Sequence, residues 1–133
     1  MMKTDTEYKY SSITEKIIGC AMRVHSELGN GFHEVVYQRA LRFEMKICGL
    51  TFEEELEMPI YYKGELVGKR RVDFLVEKVV LVELKALGEL SNTEFSRTVN
   101  YLKAYDLEVA LLINFGENSL KFKRFARYKN YIK

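Results

Sequence analysis

The first third of the chain has hydrophobic residues spaced for two amphipathic helices. Apolar residues recur every three or four positions over residues 13–28, and Ser12 and Glu15 ahead of them have the spacing of a capping box. A second set runs over residues 36–47 and stops at Gly49. The pattern therefore predicts two consecutive helices ahead of any sheet.

Alternation of apolar and polar residues then replaces the helical period. Residues 51–58 alternate in the manner of a half-exposed strand, which we expect to end at Pro59, the only proline of the chain. A Lys-Gly turn at 63–64 is flanked by short strand-like segments. Two strongly apolar strands are predicted to follow, at about 71–76 and 79–85. The middle of the chain thus predicts three or four antiparallel strands.

The last third returns to one helix and then to strands. Residues 92–104 have helical spacing and open on an Asn or Thr cap. Residues 109–115 form a continuous apolar run, which is typical of a strand covered on both faces, and residues 120–128 alternate again. The order of elements predicts an α/β sandwich with a mixed sheet.

Composition limits the organisation of the protein and its compartment. With 133 residues, of which 47% are hydrophobic, the sequence fits one domain over residues 1–133, with a flexible start over about residues 1–11. A formal charge of +2 argues against a strongly basic nucleic-acid binder. Neither a secretory signal nor an apolar run of about 20 residues is present. We therefore expect a cytoplasmic protein without a membrane partner.

Two local features remain ambiguous. Residues 121–133 interleave six basic and four aromatic side chains with no acidic one, which suits either a phosphate-backbone contact or a solvated last strand and tail. Cys20 and Cys48 lie in the apolar helical patterns, and no CxxC or HExxH motif accompanies them. We expect both to be buried and reduced.

The stretch RVDFLVEKVVLVELKA, residues 71–86, places three charged residues in otherwise apolar strands. Glu83 and Lys85 are two positions apart and therefore share one face of their strand. Asp73 faces Glu83 across the strand pair only if the hairpin is centred near Lys78 or contains a bulge. A plain two-residue turn would place Asp73 opposite Val82 instead.

Two carboxylates in a partly dry site repel each other strongly, and a divalent cation between them removes the conflict. Oxygen ligands from Asp73, Glu83 and the backbone carbonyl of Leu84 would suit Mg²⁺ or Mn²⁺. Lys85 would then orient the attacking water or stabilise charge on a phosphate. The structural alternative is an ion pair of Asp73 with Lys85 or with Arg71, and the spacing alone does not exclude it.

The order of several short motifs gives a resemblance to a known family. GFHEVVY at residues 31–37 matches Gly-x-x-Glu-x-x-Tyr, and RVDFLVE, VELKA, NYLKA and LLINFG accompany it. Together they resemble the small bacterial and archaeal GxxExxY family, which is placed in the PD-(D/E)xK nuclease superfamily. The resemblance spans residues 13–125 and implies an α/β, restriction-endonuclease-like fold, with a mixed central β-sheet flanked by helices.

The resemblance also implies a catalytic site. Its members would be Glu34 on the second helix, Asp73 on one central strand, and Glu83 and Lys85 on the next. The implied activity is Mg²⁺-dependent hydrolysis of phosphodiester bonds, and we expect DNA rather than RNA as the substrate. From its position alone, Glu34 could instead simply complement the helix dipole.

Three further residues are predicted to bind substrate. Tyr37 lies one turn beyond Glu34 and can offer a hydroxyl to a phosphate, although packing alone would also explain it. Arg97 stands four residues before Tyr101, where the family commonly has Gln. Arg97 can bind a phosphate bidentately, or it can pair with Glu34 or Glu83 and take the place of the cation.

Three functions therefore compete at this point. The leading hypothesis is a magnesium-dependent nuclease. The second is a nucleic-acid-binding or dimerising module of the same fold, with its site closed by Arg97. The third is a purely structural network of ion pairs. One chain does not determine the oligomeric state, and a homodimer is compatible with the sequence.

Overall fold

Two helices form one layer of the protein. In the computed structural model, which describes residues 9–127, α1 spans Ser11–Leu28 and α2 spans Glu34–Ile47. Each helix buries residues at helical spacing, so each presents one apolar stripe to the sheet. These buried apolar residues are Ile17, Cys20, Ala21 and Val24 in α1, and Tyr37, Leu41 and Met45 in α2.

The start of α1 differs from the prediction. The N-cap is Tyr10, which makes no side-chain capping bond, so the predicted capping box of Ser12 and Glu15 is wrong. Thr14 instead donates its hydroxyl to the Ser11 carbonyl at 3.1 Å. Most of the expected flexible start, residues 1–11, lies outside the described residues. The capping box fails because the helix has already begun one residue before Ser12.

Five strands and a third helix follow. β1 spans Phe52–Tyr62, β2 Glu65–Val76, β3 Val80–Lys85, α3 Asn92–Ala104, β4 Val109–Asn114 and β5 Lys121–Ala126. The strands lie in the order β1-β2-β3-β4-β5, and only β3 and β4 run parallel to each other. The mixed sheet flanked by helices confirms the predicted α/β architecture.

Two expected strand boundaries are wrong. β1 continues through Pro59, which pairs with Lys69, because an edge strand does not need the missing N–H for its ladder. The segments predicted separately at 65–68 and 71–76 form one long strand, β2. The Lys-Gly turn at 63–64 is confirmed, with positive φ at both residues as a tight hairpin requires. Tyr128 of the predicted last strand lies outside the described residues.

The helices cover the two faces of the sheet unequally. α1 and α2 pack on one face over the larger core cluster, which includes Phe74, Val82 and Leu111. α3 packs on the opposite face over a smaller cluster that contains Val72 and Leu81. α3 opens on Ser91, whose side chain forms a capping box with Glu94 rather than the predicted Asn or Thr cap. No helix in the described part of the chain is long and apolar enough to cross a bilayer.

The β2–β3 turn sets the register on which the site depends. Phe74 pairs with Val82 and Val76 with Val80, so the hairpin is centred on Lys78. Lys78 has a φ of 62°. This is the register that brings Asp73 opposite Glu83, and the prediction is confirmed.

Candidate catalytic and metal site

Strand β2 changes its orientation at Asp73. Val72 packs into the cluster under α3, whereas Phe74 packs into the cluster under α1 and α2. In a regular strand these two residues would share one face. The pairing of β2 with β3 ends at Phe74, and Glu55, at the neighbouring position of β1, has a φ of 54°. The sheet is therefore distorted at Asp73.

Two carboxylates replace the missing ladder bonds at this point. The backbone N–H of Asp73 donates to Glu83 Oε1 at 3.1 Å. The backbone N–H of Leu84 donates to Asp73 Oδ2 at 2.8 Å. Each side chain thus accepts a bond from the opposite strand, as a backbone carbonyl would in a regular ladder. The exchange holds both acids between β2 and β3.

Burial makes this pair electrostatically costly. Burial, together with the nearby negative charge of Asp73, raises the pKa of Glu83 to about 8. Burial also raises the pKa of Asp73, although the hydrogen bonds from Leu84 and Glu83 oppose the shift. Both pKa values are raised, so this environment disfavours two negative charges at the same time. A dication would stabilise the fully ionised pair.

Glu34 and Lys85 belong to the same electrostatic neighbourhood. Burial raises the pKa of Glu34; the charge of Lys85 lowers it, and the charge of Asp73 raises it. Lys85 lowers the pKa of Asp73 as well. Within residues 9–127, however, no three His, Cys, Asp or Glu side chains converge closely enough to hold a metal ion. Glu34 is thus near the Asp73–Glu83 pair without completing a three-acid cluster.

Arg70 is the cation that the sequence reasoning missed. Its Nη2 lies 4.0 Å from Glu83 Oε2, and its guanidinium lies 5.4 Å from the centroid of the Tyr101 ring. Its Nε is buried and has no hydrogen-bond partner among the described residues. A signal existed in the sequence, because Arg70 is two positions from the apolar Val72 and so faces α3 with it.

Arg97 does not pair with an acid of the site, which was the alternative to phosphate binding that the sequence left open. It is exposed on α3 and, within the described chain, forms no ion pair with either Glu34 or Glu83. Its charge nevertheless lowers the pKa of Tyr101, which burial raises. Closure of the site by Arg97 is therefore wrong, because the exposed side chain remains in solvent and Arg70 is the arginine beside Glu83.

The predicted ion pairs of Asp73 are also not formed. Arg71 points to Glu55 instead, with Nη1 and Oε1 3.8 Å apart. In the part of the chain that the structure describes, Lys85 makes no ion pair with Asp73 within 4.0 Å. The structural alternative thus loses the two contacts on which it depended.

Tyr37 is held away from substrate by its own loop. Its hydroxyl donates to the Gly29 carbonyl at 2.6 Å and accepts from the Phe32 N–H at 3.2 Å. Its ring is fully buried and stacks on Phe115, with centroids 4.7 Å apart. These contacts correct the expected substrate-binding role and favour the packing interpretation. Tyr101, by contrast, lies beside Arg70 and Glu83.

A buried asparagine fixes the chain just beyond Lys85. Asn114 pairs with Lys85 in the parallel register of β3 and β4. Its Oδ1 accepts from the Leu87 and Gly116 N–H groups at 2.9 and 3.1 Å. Its Nδ2 donates to the Leu87 carbonyl at 3.0 Å and to Glu117 Oε2 at 2.9 Å. The amide therefore anchors the segment that leaves the site.

Comparison with known proteins identifies the family. A family model of the PD-(D/E)XK nuclease superfamily matches residues 11–125. The crystal structure of SSO0001 has a similar fold, with a TM-score of 0.57 and 17% identity over 92% of this chain. The alignment covers 61% of SSO0001, so this chain spans about three fifths of that protein's length. No curated protein gives a significant match. Because the family model covers most of the sequence, the chain belongs to the PD-(D/E)XK nuclease superfamily, and its fold is the restriction-endonuclease-like fold of that superfamily.

Proposed function

We propose that this protein is a metal-dependent nuclease that hydrolyses phosphodiester bonds in DNA with Mg²⁺ or Mn²⁺. Membership of the nuclease superfamily implies a nucleic-acid substrate. The observation that carries the proposal is the pair of the half-buried Asp73 and the buried Glu83, which is held between two strands by reciprocal backbone bonds. The Gly-x-x-Glu-x-x-Tyr motif at residues 31–37 supports a place in the GxxExxY family within this superfamily.

The donor set fits a small, hard dication. Asp73 and Glu83 supply carboxylate oxygens, and the Leu84 carbonyl on the same strand supplies a neutral one. Divalent metals are in general use across the superfamily. A bound Mg²⁺ would polarise the phosphate and lower the pKa of a water molecule. The repulsion that raises the pKa of Glu83 is the cost that such binding would remove.

The other residues of the site have distinct proposed roles. Lys85 stabilises negative charge that develops on the phosphate. Glu34, exposed at the start of α2, accepts a hydrogen bond from the attacking water. Arg70, whose side chain is partly exposed and whose Nη2 lies 4.0 Å from Glu83 Oε2, offers its guanidinium to a phosphate oxygen beside Glu83.

Cations on the α3 side of the sheet suit the DNA backbone. Arg97 is exposed on α3. Lys123 of β5 lies over the rings of Phe95 and Phe125, at 5.8 and 5.6 Å from their centroids. This face is the one on which Arg70 and Tyr101 meet. The positive charges on this face would attract the phosphates of DNA and bring them to Glu83 from the α3 side. The more distal basic residues, 128–133, lie outside the described chain.

The proposal is tested by cleavage assays with the full chain. Linear, circular, branched and single-stranded DNA, and matched RNA, are incubated with Mg²⁺ or Mn²⁺. We expect cleavage of DNA by the wild type and a loss of at least about a thousandfold in Asp73→Asn. Glu15→Gln, which neutralises an exposed acid on α1, is the matched control and should cleave normally. Failure to cleave any of these substrates would contradict the proposal.

One observation favours a second candidate, an inactive module that binds nucleic acid or forms a homodimer. The Arg70 guanidinium lies 4.0 Å from Glu83 and could take the place of a metal ion. Such a module would bind DNA with strong salt dependence and without any effect of chelator. Metal-dependent turnover by the purified chain would exclude it.

A further inference from the structure

A pair of thiols meets where α1 packs on the end of α2, a place that the catalytic proposal does not use. Cys20 and Cys48 are both free, and their Sγ atoms are 3.3 Å apart. Cys20 is fully buried in α1, whereas Cys48, the C-cap of α2, is partly exposed. The expected burial thus holds for Cys20, while small molecules in solvent can reach Cys48.

An arginine connects the two sulfur atoms. Arg23 Nη2 lies 3.0 Å from Cys48 Sγ and 3.4 Å from Cys20 Sγ. Its Nε donates to Glu44 Oε1 at 2.9 Å, which fixes the guanidinium in place. A fixed positive charge beside a partly exposed sulfur stabilises the thiolate, which is the reactive form of cysteine.

The two thiols differ in character. The Cys20 S–H donates to Cys48 Sγ, and burial raises the pKa of Cys20 to about 12, so Cys20 keeps its proton. Cys48 receives hydrogen bonds both from Cys20 and from Arg23. Cys48 is therefore the sulfur that solvent reaches and that Arg23 contacts most closely, and Cys20 is the second thiol, buried beside it.

The backbone holds Cys48 in position. The Leu50 N–H donates to the Met45 carbonyl at 3.0 Å, and the Gly49 N–H donates to the Lys46 carbonyl at 3.1 Å. Gly49 has a φ of 80°, and these two bonds form the Schellman motif, in which glycine is favoured just after the end of a helix. The contact between the thiols is thus built on two packed helices rather than on a loose loop.

We propose that Cys48 and Cys20 form a reversible oxidation site, in which a hydroperoxide converts the two thiols into a disulfide that joins α1 to the end of α2. Cys48 releases its proton, its sulfur attacks one oxygen of hydrogen peroxide, the O–O bond breaks, and the leaving hydroxide takes up a proton, so that a sulfenic acid and one water result. Cys20 sulfur then attacks Cys48 sulfur and displaces the second water. Two thiols lose two electrons, and the peroxide gains them.

The geometry requires only a short movement. The sulfur atoms must approach from 3.3 Å to the roughly 2.05 Å of a disulfide bond. The site lies at the opposite end of α2 from Glu34, and the 14 residues of this helix span about 20 Å. The crosslink therefore stabilises the pairing of the helices without closing the proposed catalytic site.

The test uses the full chain and hydrogen peroxide. We expect the wild type to lose both thiols, to remain monomeric on a non-reducing gel and to lose two hydrogen atoms in its intact mass. Its melting temperature should rise by roughly 5–15 °C, since the bond restricts the unfolded chain. A dithiol reductant should reverse every change. Retention of both thiols, a crosslink between chains, or a stable sulfenic acid without a crosslink would overturn the proposal.

Variants assign the roles of the individual groups. Cys20→Ser should accumulate a sulfenic acid at Cys48 that a dimedone probe traps, whereas Cys48→Ser should leave Cys20 unreacted. Arg23→Gln should slow the loss of thiols about tenfold. Arg39→Gln, on the exposed surface of α2, is the matched control and should react at the wild-type rate. Equal rates of thiol loss in the Arg23 and Arg39 variants would show that the Arg23 guanidinium does not promote the oxidation.

Discussion

Two buried polar sites on neighbouring central strands differ in how well they are satisfied. Asn114, at the end of β4, is fully buried, and its amide accepts two hydrogen bonds and donates two. Glu83, in β3, is only 5% exposed, yet its carboxyl group faces a second carboxyl group and an arginine at 4.0 Å. The one site has complementary partners, and the other places like charges together.

The difference separates a structural role from a functional one. A buried amide with all its hydrogen bonds made stabilises the fold, and its removal exposes several unpaired groups. A buried pair of acids destabilises the folded chain unless a proton or a cation compensates the repulsion. Such a cost is expected where the site binds a ligand that supplies the missing charge. Substitution of Glu83 should therefore weaken metal binding, whereas substitution of Asn114 should weaken the fold.

The largest effect is expected on metal binding when Glu83 becomes Gln. The neutral amide can still accept the Asp73 N–H bond, so the fold should persist while one anionic ligand is lost. Mg²⁺ affinity, measured by calorimetry, should fall by about a hundred- to a thousandfold, roughly 3–4 kcal/mol. Asn114→Ala, assayed well below its melting temperature, should bind Mg²⁺ as the wild type does. Equal Mg²⁺ affinity of the wild type and Glu83→Gln would exclude Glu83 as a ligand.

The second effect concerns stability and applies to Asn114→Ala. This change removes partners from the Leu87 N–H and carbonyl groups and from the Gly116 N–H. We expect a loss of about 2–3 kcal/mol in the free energy of unfolding, measured in urea. Gly116→Ala tests the same segment, because its added Cβ would lie 2.3 Å from the Leu87 carbonyl oxygen. We expect it to destabilise the fold as well. A loss below about 0.5 kcal/mol in both variants would contradict the structural assignment.

The smallest effect is the pH dependence of stability in the absence of metal. The pKa of Glu83 is raised from 4.5 to about 8 on folding, so the folded chain holds a proton that the unfolded chain releases. This stabilisation is complete below pH 4.5 and is lost as the pH rises through about 8. In chelator, the wild type should therefore lose roughly 1–2 kcal/mol relative to Glu83→Gln between pH 7 and 8.5. Parallel pH curves for the two proteins would show that Glu83 does not hold this proton.

Several features could be predicted because they depend on local spacing. The helical periods gave α2 and α3 to within two residues, and the alternation gave the strands that carry Asp73 and Glu83. A hairpin centred on Lys78 could also be anticipated from the sequence, since the side-chain period of two leaves few registers that bury both strands. Local errors arose at Pro59 and at the cap of α1, where edge position and helix start outweighed residue preference.

The environment of the acids was not predictable in the same way. The sequence offers Arg70, Arg71 and Arg97 as candidate cations, and spacing from Val72 indicates only the face of Arg70. Of these three, only Arg70 lies beside Glu83. Which arginine does so depends on the distortion of β2 at Asp73 and on where α3 crosses the sheet. Likewise, the hydroxyl of Tyr37 binds its own loop because packing on Phe115 fixes the ring.

By itself, the sequence determined the order of the elements, the mixed sheet and the presence of Asp73, Glu83 and Lys85 on adjacent strands, because hydrophobic periodicity acts over a few residues. Only the tertiary structure decided that burial and Asp73 raise the pKa of Glu83, and that two cysteines 28 positions apart come into contact. Burial and contacts between distant segments depend on how helices pack across a twisted sheet, and no local pattern encodes that packing.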